Sequence, residues 1–162
     1  MHRNFTDIYD QYFDDVYRYV YFKTGNRWDT DDLVSEAFRK AFENYSARIE
    51  NPKAWLFTIV RNTVTDFYRK KKDVALAESL ENCEYTYGFE QSLEKQDELN
   101  CLKQSLKLLS KEEMEIVNLR YFAGLKHLDI ADLLGKSEDS VKMKVSRIIK
   151  KLKDLTNRYM EE

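Results

Sequence analysis

The chain has 162 residues, of which 43% are hydrophobic and 14% aromatic, with four glycines and one proline. This apolar content excludes a disordered chain, and so few turn-forming residues argue against an all-β fold with many turns. The formal net charge of −2 excludes a basic protein that coats nucleic acid, but it leaves a reader of specific DNA open.

Charge is distributed unevenly along the chain. Residues 1–72 carry 13 basic and 11 acidic side chains, residues 73–100 carry one and eight, and residues 101–162 carry 13 and 10. Two mildly basic ends are therefore separated by an acidic middle. Residues 73–91 contain no sustained apolar period, so we predict a flexible acidic linker there.

Three features of the sequence indicate the cellular compartment of the protein. No apolar run approaches the roughly 18 residues of a membrane span, and the first residues lack the apolar core of a signal peptide. The two cysteines, Cys83 and Cys101, form no disulfide framework, which favours reduced thiols. We therefore expect a cytoplasmic protein.

The first two helices are predicted from their start and stop signals. The first runs over about residues 6–22 and ends at Gly25. The second is predicted to start near Asp29 and Thr30, either of which can cap it. Its apolar residues then recur at helical spacing and form one broad face: Leu33, Ala37, Phe38, Ala41, Phe42 and Tyr45.

The third helix has the clearest start, with Asn51 as N-cap and Pro52 at the first helical position. An apolar stripe in helical period follows: Trp55, Leu56, Ile59, Val60, Val64 and Phe67. The helix runs out into a basic stretch, residues 69–72. Three such helices are expected to pack into one domain that ends near residue 72.

A second group of helices is predicted after the linker. One helix is expected over residues 91–109, and Ser110 with Glu113 then forms a capping box for the next. In that next helix Met114, Val117 and Tyr121 are predicted to face inward.

The C-terminal pattern is a short helix, a glycine and a long helix. The short helix is predicted over residues 127–134, Gly135 supplies a left-handed cap, and Ser137 caps the last helix. An apolar stripe at spacings of four and three follows: Val141, Val145, Ile148, Leu152 and Leu155. This pattern is typical of a helix-turn-helix, although any helical hairpin packs through such a stripe.

Several segments resemble sigma factors of bacterial RNA polymerase. Four segments in order are similar to their region four: residues 109–112 (LSKE), 119–125 (LRYFAGL), 129–135 (DIADLLG) and 137–142 (SEDSVK). Two further stretches are similar to region two: residues 31–38 (DDLVSEAF) to its polymerase-binding helix, and residues 51–62 with 66–69 (NPKAWLFTIVRN, DFYR) to its promoter-melting segment. With no room for region three, the chain resembles the extracytoplasmic-function (ECF) subgroup of the sigma-70 family.

The resemblance implies an all-α fold of two small helical domains joined by the acidic linker. Residues 1–72 would be a three- or four-helix region two domain, and residues 92–162 a region four helix-turn-helix domain. The implied function is to bind core polymerase, direct it to specific promoters and assist their melting. The implied partners are the β′ clamp and β flap of core polymerase, promoter DNA and a membrane-anchored anti-sigma factor, which would hold the protein at the inner face of the membrane.

The resemblance also implies three sets of contact residues. Polymerase contacts would be made by Asp32, Ser35, Glu36 and Arg39. The downstream promoter element would be held by Lys53, Trp55, Arg61, Asn62, Arg69 and Lys70. The upstream element would be read by Ser140, Lys142, Met143, Lys144, Ser146 and Arg147. These are the hydroxyl, amide, aromatic and cationic groups that reach phosphates, base edges and unstacked bases.

Some positions depart from the family or allow a second interpretation. Ser35 stands where the family usually has Gln, Met143 where it has Ser, and Asp129 where it has Glu. Trp55 is as compatible with a core position as with a stacking platform. Acids near a helix start, such as Asp32, also favour the helix dipole.

Catalysis has little support in the sequence. There are two histidines, no Cys-x-x-Cys, no glycine-rich phosphate loop and no nucleophile elbow. We therefore expect no enzyme activity, no cofactor and no metal site. Two alternatives remain: a DNA-binding regulator that never contacts polymerase, and a helical adaptor that binds only proteins.

Overall fold

The computed structural model describes residues 4–74 and 96–161. Over these ranges the protein is helical and contains no strand, which confirms the predicted all-α fold. The described residues divide into two compact units, one on each side of residues 75–95. Most of the predicted linker therefore lies outside the described residues, while residues 73 and 74 belong to a helix.

The first unit contains three helices: α1 (Phe5–Thr24), α2 (Arg27–Glu43) and α3 (Pro52–Val74). Asn4 caps α1 in a capping box with Asp7, and Gly25 ends it at a φ of 70°, as its position after the helix predicts. Asn51 caps α3 as predicted, because its Oδ1 accepts the Ala54 N–H at 3.2 Å.

The predicted cap of α2 is wrong by three or four residues. Asn26 is the N-cap, and its Oδ1 accepts the Asp29 N–H at 2.8 Å. Thr30 lies inside the helix, where its Oγ1 donates to the Asn26 carbonyl at 2.7 Å and lies 2.6 Å from the Thr24 hydroxyl. The helix therefore begins directly after the αL residue Gly25, and a buried hydroxyl pair holds the α1–α2 corner.

The core of this unit is formed by one side of each helix. Tyr19, Phe22, Leu56 and Phe57 are fully buried, and the rings of Tyr19 and Phe57 meet edge to face at 5.7 Å between centroids. Tyr68 on α3 donates its hydroxyl proton to the Lys23 carbonyl at 3.1 Å, which ties the two helix ends together. The outer sides of α2 and α3 are left for other contacts.

The second unit contains α4 (Gln96–Leu106), α5 (Lys111–Val117), α6 (His127–Leu134) and α7 (Glu138–Glu161). The predicted fourth helix extended to residue 109, but residues 107–109 form tight turns that end it early. The capping box of Ser110 with Glu113 and the cap of Ser137 on α7 are confirmed.

Tyr121 does not face inward as predicted. The chain continues from α5 as a π-helical turn, Asn118–Phe122, which places more residues in each turn than an α-helix. The inward register therefore passes to Leu119 and Leu125, which are fully buried, while Tyr121 is 54% exposed. Met114 and Val117 precede the change of period and are buried as predicted.

Candidate nucleic-acid and protein interfaces

The outer side of α2 carries the predicted polymerase contacts together. The buried side is formed by Thr30, Leu33, Val34, Ala37, Phe38 and Ala41. At about 100° per residue, Asp32, Ser35, Glu36 and Arg39 all fall on the opposite side. Asp32, Ser35 and Arg39 are exposed, and Glu36 is partly exposed.

The charges on this side are partly paired with one another. Arg39 donates to both oxygens of Glu36, at 2.6 and 3.1 Å, and to Glu43 at 2.6 Å. The hydrogen bond from Arg39 is the main reason that the pKa of Glu36 is lowered. Within the described residues Asp32 has no such partner, so it is the uncompensated acid of the predicted set.

Sequence reasoning missed Trp28, which lies one turn before Asp32 on the same side of α2 and is 84% exposed. An exposed tryptophan is uncommon on a free surface and is enriched among the residues that contribute most to protein–protein binding. Its position off the apolar stripe of α2 was a signal that could have found it.

The predicted downstream-element residues divide into two groups on α3. Trp55, Asn62 and Arg69 are spaced by seven residues, so they follow one another along the outer side of the helix. Asn62 and Arg69 are exposed and Trp55 is partly exposed. Arg61 and Lys70 flank this row.

Lys53 does not join that row. It lies on the packed side of the first turn, where its Nζ is 3.1 Å from Asp15 Oδ2 and 5.7 Å from the centroid of the Tyr12 ring. Only 21% of its side chain is exposed. The structure therefore places Lys53 as a link between α3 and α1, apart from the other five residues.

The predicted helix-turn-helix is formed by α6, Gly135 and α7. Gly135 has a φ of 66°, and the Lys136 N–H then donates to the Ala131 carbonyl at 2.9 Å, which closes the turn. Val141 and Ile148 of α7 are buried. The opposite side of α7 is therefore fixed as its outward side.

The predicted upstream-element residues lie on or beside this outward side. Met143 is 55% exposed, Ser146 and Arg147 are also exposed, and Ser140 and Lys144 are partly exposed. Lys142 lies on the flank and pairs with Glu138 at 3.2 Å. Arg147 has no acidic partner within the described residues, so its guanidinium group is available to a ligand.

Glu112, at the start of α5, was also missed. Its Oε1 accepts from Lys144 Nζ at 2.7 Å and also accepts from Lys136. These two hydrogen bonds, first the one from Lys136, lower the pKa of Glu112 to about 2. The contact joins residues 24 and 32 positions apart, so it depends on the tertiary fold, which periodicity does not reveal.

Neither a metal centre nor a membrane span is found in the part of the chain that the structure describes. Those residues contain no group of three or more His, Cys, Asp or Glu side chains that could hold a metal ion. Among the described helices, none is long and apolar enough to cross a bilayer.

Comparison with known proteins places both units in one family. The model of Sigma-70 region 2 matches residues 8–74, and the model of Sigma-70, region 4 matches residues 99–152. The first match contains α2 and α3, and the second contains the helix-turn-helix. The two models therefore account for most of the chain.

Individual relatives agree with these matches. The chain is 31% identical over 154 residues to the ECF RNA polymerase sigma factor BldN of Streptomyces coelicolor, an alignment that covers 91% of the chain but 58% of BldN. It therefore spans little more than half the length of that relative. It is 27% identical over 158 residues to the ECF RNA polymerase sigma factor SigM of Bacillus subtilis, covering 96% of the chain and 97% of SigM.

A solved structure supports the fold. The sigma factor RpoE from Bartonella quintana, crystallised with the anti-sigma factor NepR, matches 94% of the chain and is itself covered to 96%, with a TM-score of 0.69 and 24% identity. Because both sigma-70 regions occur in one chain, in the family's order and beside ECF relatives, the chain belongs to the sigma-70 family of RNA polymerase sigma factors, as a member of the ECF subgroup.

Proposed function

We propose that this sigma factor binds core polymerase through the outer side of α2 and reads the upstream promoter element with the outward side of α7. The observation that carries the proposal is the exposure of both surfaces on the helices where the two family regions lie. On this basis residues 1–72 act as the region two domain, residues 92–162 as the region four domain, and residues 73–91 join them.

The polymerase contact would combine an apolar anchor with an uncompensated acid. Trp28 and Asp32 are adjacent on α2, and the Glu36–Arg39 pair continues the same side by one turn. Tryptophan supplies a large apolar contact, while an uncompensated acid can pair at close range with a basic group of the partner. The corresponding partner would be the β′ clamp of core polymerase, with the β flap contacting the second unit.

The downstream element would be held along α3. The outer row of this helix supplies a ring for stacking at Trp55, an amide for base edges at Asn62 and a cation for phosphate at Arg69. Proteins bind single-stranded nucleic acids through cations along the backbone, aromatic rings on which bases stack and polar groups that hydrogen-bond the edges of unstacked bases. Lys53 takes no direct part, since it is largely buried against α1, where Asp15 and the Tyr12 ring contact its ammonium group.

We further propose that the protein is not an enzyme, since sigma factors are regulatory and non-catalytic. RpoE of Bartonella quintana was crystallised in complex with the anti-sigma factor NepR. An anti-sigma factor is accordingly the inhibitor proposed for this chain, and its anchoring in a membrane would keep the complex at the inner membrane face.

The test of the polymerase contact is a titration of purified core enzyme with the chain. Asp32→Lys is compared with Asp31→Lys, which makes the same charge change on an exposed neighbour that points about 100° away. A like-charge contact costs several kcal/mol, so Asp32→Lys is expected to weaken core binding about tenfold or more. Asp31→Lys should have a much smaller effect.

Three outcomes contradict the proposal in different ways. Equal effects of the two variants would mean that the outer side of α2 is not the contact. A chain that binds duplex DNA tightly and core polymerase not at all would be a DNA-binding regulator of another kind. A chain that binds neither would be a protein-binding adaptor.

A further inference from the structure

Three elements of the second unit meet at one carboxylate. Glu112 in the first turn of α5 contacts Lys136, in the turn before α7, and Lys144 on α7, both through the same oxygen atom. Next to it, Glu113 contacts Lys151 of α7 at 3.3 Å. The start of α5 therefore supplies acids to a row of lysines that borders the outward side of α7.

The lysines bound by Glu112 are placed to meet the DNA backbone. Lys136 lies in the turn that leads into α7, and Lys144 lies less than one turn before Arg147, on the flank of the same side. Where such a helix enters the major groove, cations on its flanks face the two phosphate backbones. This step rests on the proposed placement of α7 in DNA.

We propose that Glu112 is a specificity-determining residue: by pairing with Lys136 and Lys144 it lowers the sequence-independent affinity of the helix-turn-helix for duplex DNA. A lysine that already contacts a carboxylate gains less from a phosphate, because it must first give up its partner. Arg147 has no such partner among the described residues. The contacts that carry no sequence information are thereby weakened, and a contact able to read guanine is left at full strength.

The exposure of the cluster decides how strong this effect is. The side chains of Glu112, Lys136 and Lys144 are 49%, 30% and 33% exposed. Pairs at such exposure contribute little to stability, so phosphate can displace the carboxylate when the DNA fits well. The lowered pKa of Glu112 reflects these two lysine contacts, which favour its ionised form. Glu112 therefore imposes a graded penalty on phosphate contacts and does not block them.

The test measures binding of the full chain to a mixed-sequence duplex by fluorescence anisotropy over a salt series. Glu112→Gln removes the charge and keeps the side-chain length. The control Asp154→Asn makes the same charge change at an exposed site about 15 Å along α7 from Lys144, beyond the Debye length of about 8–10 Å. Circular dichroism verifies that both variants are folded, and Glu112→Ala serves if the glutamine variant is not.

The expected result for Glu112→Gln is tighter binding and a steeper salt dependence. Each lysine that gains a phosphate contact adds about 0.9 to the slope, which corresponds to about eightfold in affinity at ~0.1 M salt. Glu112→Gln should therefore steepen the slope by about one to two, while Asp154→Asn leaves it nearly unchanged. Affinity for a promoter duplex should rise by a smaller factor, so that the ratio of specific to non-specific binding falls.

Equal slopes for Glu112→Gln and Asp154→Asn would overturn the role of Glu112. Failure of the proposed placement of α7 in DNA gives a different result. It is tested by measuring the effect of Lys144→Ala on DNA binding in both the native and the Glu112→Gln chain. If Lys144→Ala weakens DNA binding while Glu112→Gln has no effect, only the role of Glu112 is wrong. If Lys144→Ala changes neither DNA binding nor transcription by the polymerase complex, α7 is not placed in DNA and both proposals fail.

Discussion

Arg147→Ala is the change that most directly tests sequence reading by α7. Arg147 is exposed on α7, about 100–120° around the helix from the buried Val141 and Ile148. It is the one cation of the predicted upstream set without an acidic partner among the described residues. An arginine can donate two parallel hydrogen bonds to O6 and N7 of guanine. No neighbouring carboxylate has to be displaced before it does so.

The size of the expected effect of Arg147→Ala follows from the guanidinium group having no carboxylate to displace. A good bidentate contact is worth about 1–3 kcal/mol of discrimination, which is about 5- to 150-fold in binding or initiation. We expect the contribution of Arg147 to lie in this range, because Arg147 breaks no ion pair when it binds guanine. Lys144 serves as the comparison, because it must break its contact with Glu112 at 2.7 Å before it binds phosphate. As a point charge, it contacts phosphate without reading sequence.

The assay is transcription in vitro with purified core polymerase on a promoter and on single-base variants of its upstream element. Arg147→Ala should lower initiation strongly on the preferred element and little on the variant that lacks the guanine, so the preference is lost. Lys144→Ala should lower initiation on all templates by a similar, smaller factor and flatten the salt slope by less than one ion, because Glu112 already compensates part of its charge. A uniform loss on every template with Arg147→Ala would refute base reading, and Arg147 would then serve only to position α7.

Three further predictions concern other parts of the molecule. Trp28→Ala should weaken core-polymerase binding by about 2 kcal/mol or more without changing the melting temperature. The control Leu128→Ala truncates a 52% exposed residue of the second unit and should leave core binding unchanged. Equal affinities of the two variants would exclude Trp28 from the interface. Phe57→Ala should cost about 3–5 kcal/mol in the free energy of unfolding measured with denaturant. Phe42→Ala, at a 65% exposed site whose ring meets Phe5 edge to face at 5.3 Å, should cost only about 1–2 kcal/mol; similar values for the two would contradict the described core. The His127 imidazole should titrate below 6.5 by NMR, because burial and then the charge of Arg120 lower its pKa, so the fold loses stability as pH falls below 6.5; a midpoint at or above that of the denatured chain would be the contrary result.

Helix ends with local signals could be predicted from the sequence. The capping box at Ser110, the N-cap at Asn51 and the glycine at residue 135 act through the backbone of their own turns, so neighbouring residues suffice to identify them. The start of α2 was missed because Asp29 and Thr30 are good capping residues too. The choice of Asn26 depends on Gly25 and on the buried contact between Thr24 and Thr30, which joins two helices.

Two other features could not be predicted from the sequence: the change of helical period after α5 and the ion pairs between helices. A search at 3.6 residues per turn carries the inward register of α5 through Tyr121, but the π-helical turn changes the period at Asn118. The side chains predicted to contact partners were chosen by charge and face alone. Whether a charge is already neutralised, as for Lys53 by Asp15 and Lys144 by Glu112, depends on helices that are distant in sequence.

Both candidate interfaces contain charges that are paired within the protein beside one charge that has no partner among the described residues. In the predicted polymerase set, Glu36 and Arg39 bind each other and leave Asp32 as the acid without a partner among the described residues. In the predicted upstream set, Lys142 and Lys144 have acidic partners and leave Arg147. A surface built in this way attracts polyanions or basic proteins only weakly from a distance, because the paired charges nearly cancel beyond a Debye length. Binding then depends on close contact with the few uncompensated groups, and close contact is where the identity of a base or of a protein partner can be distinguished.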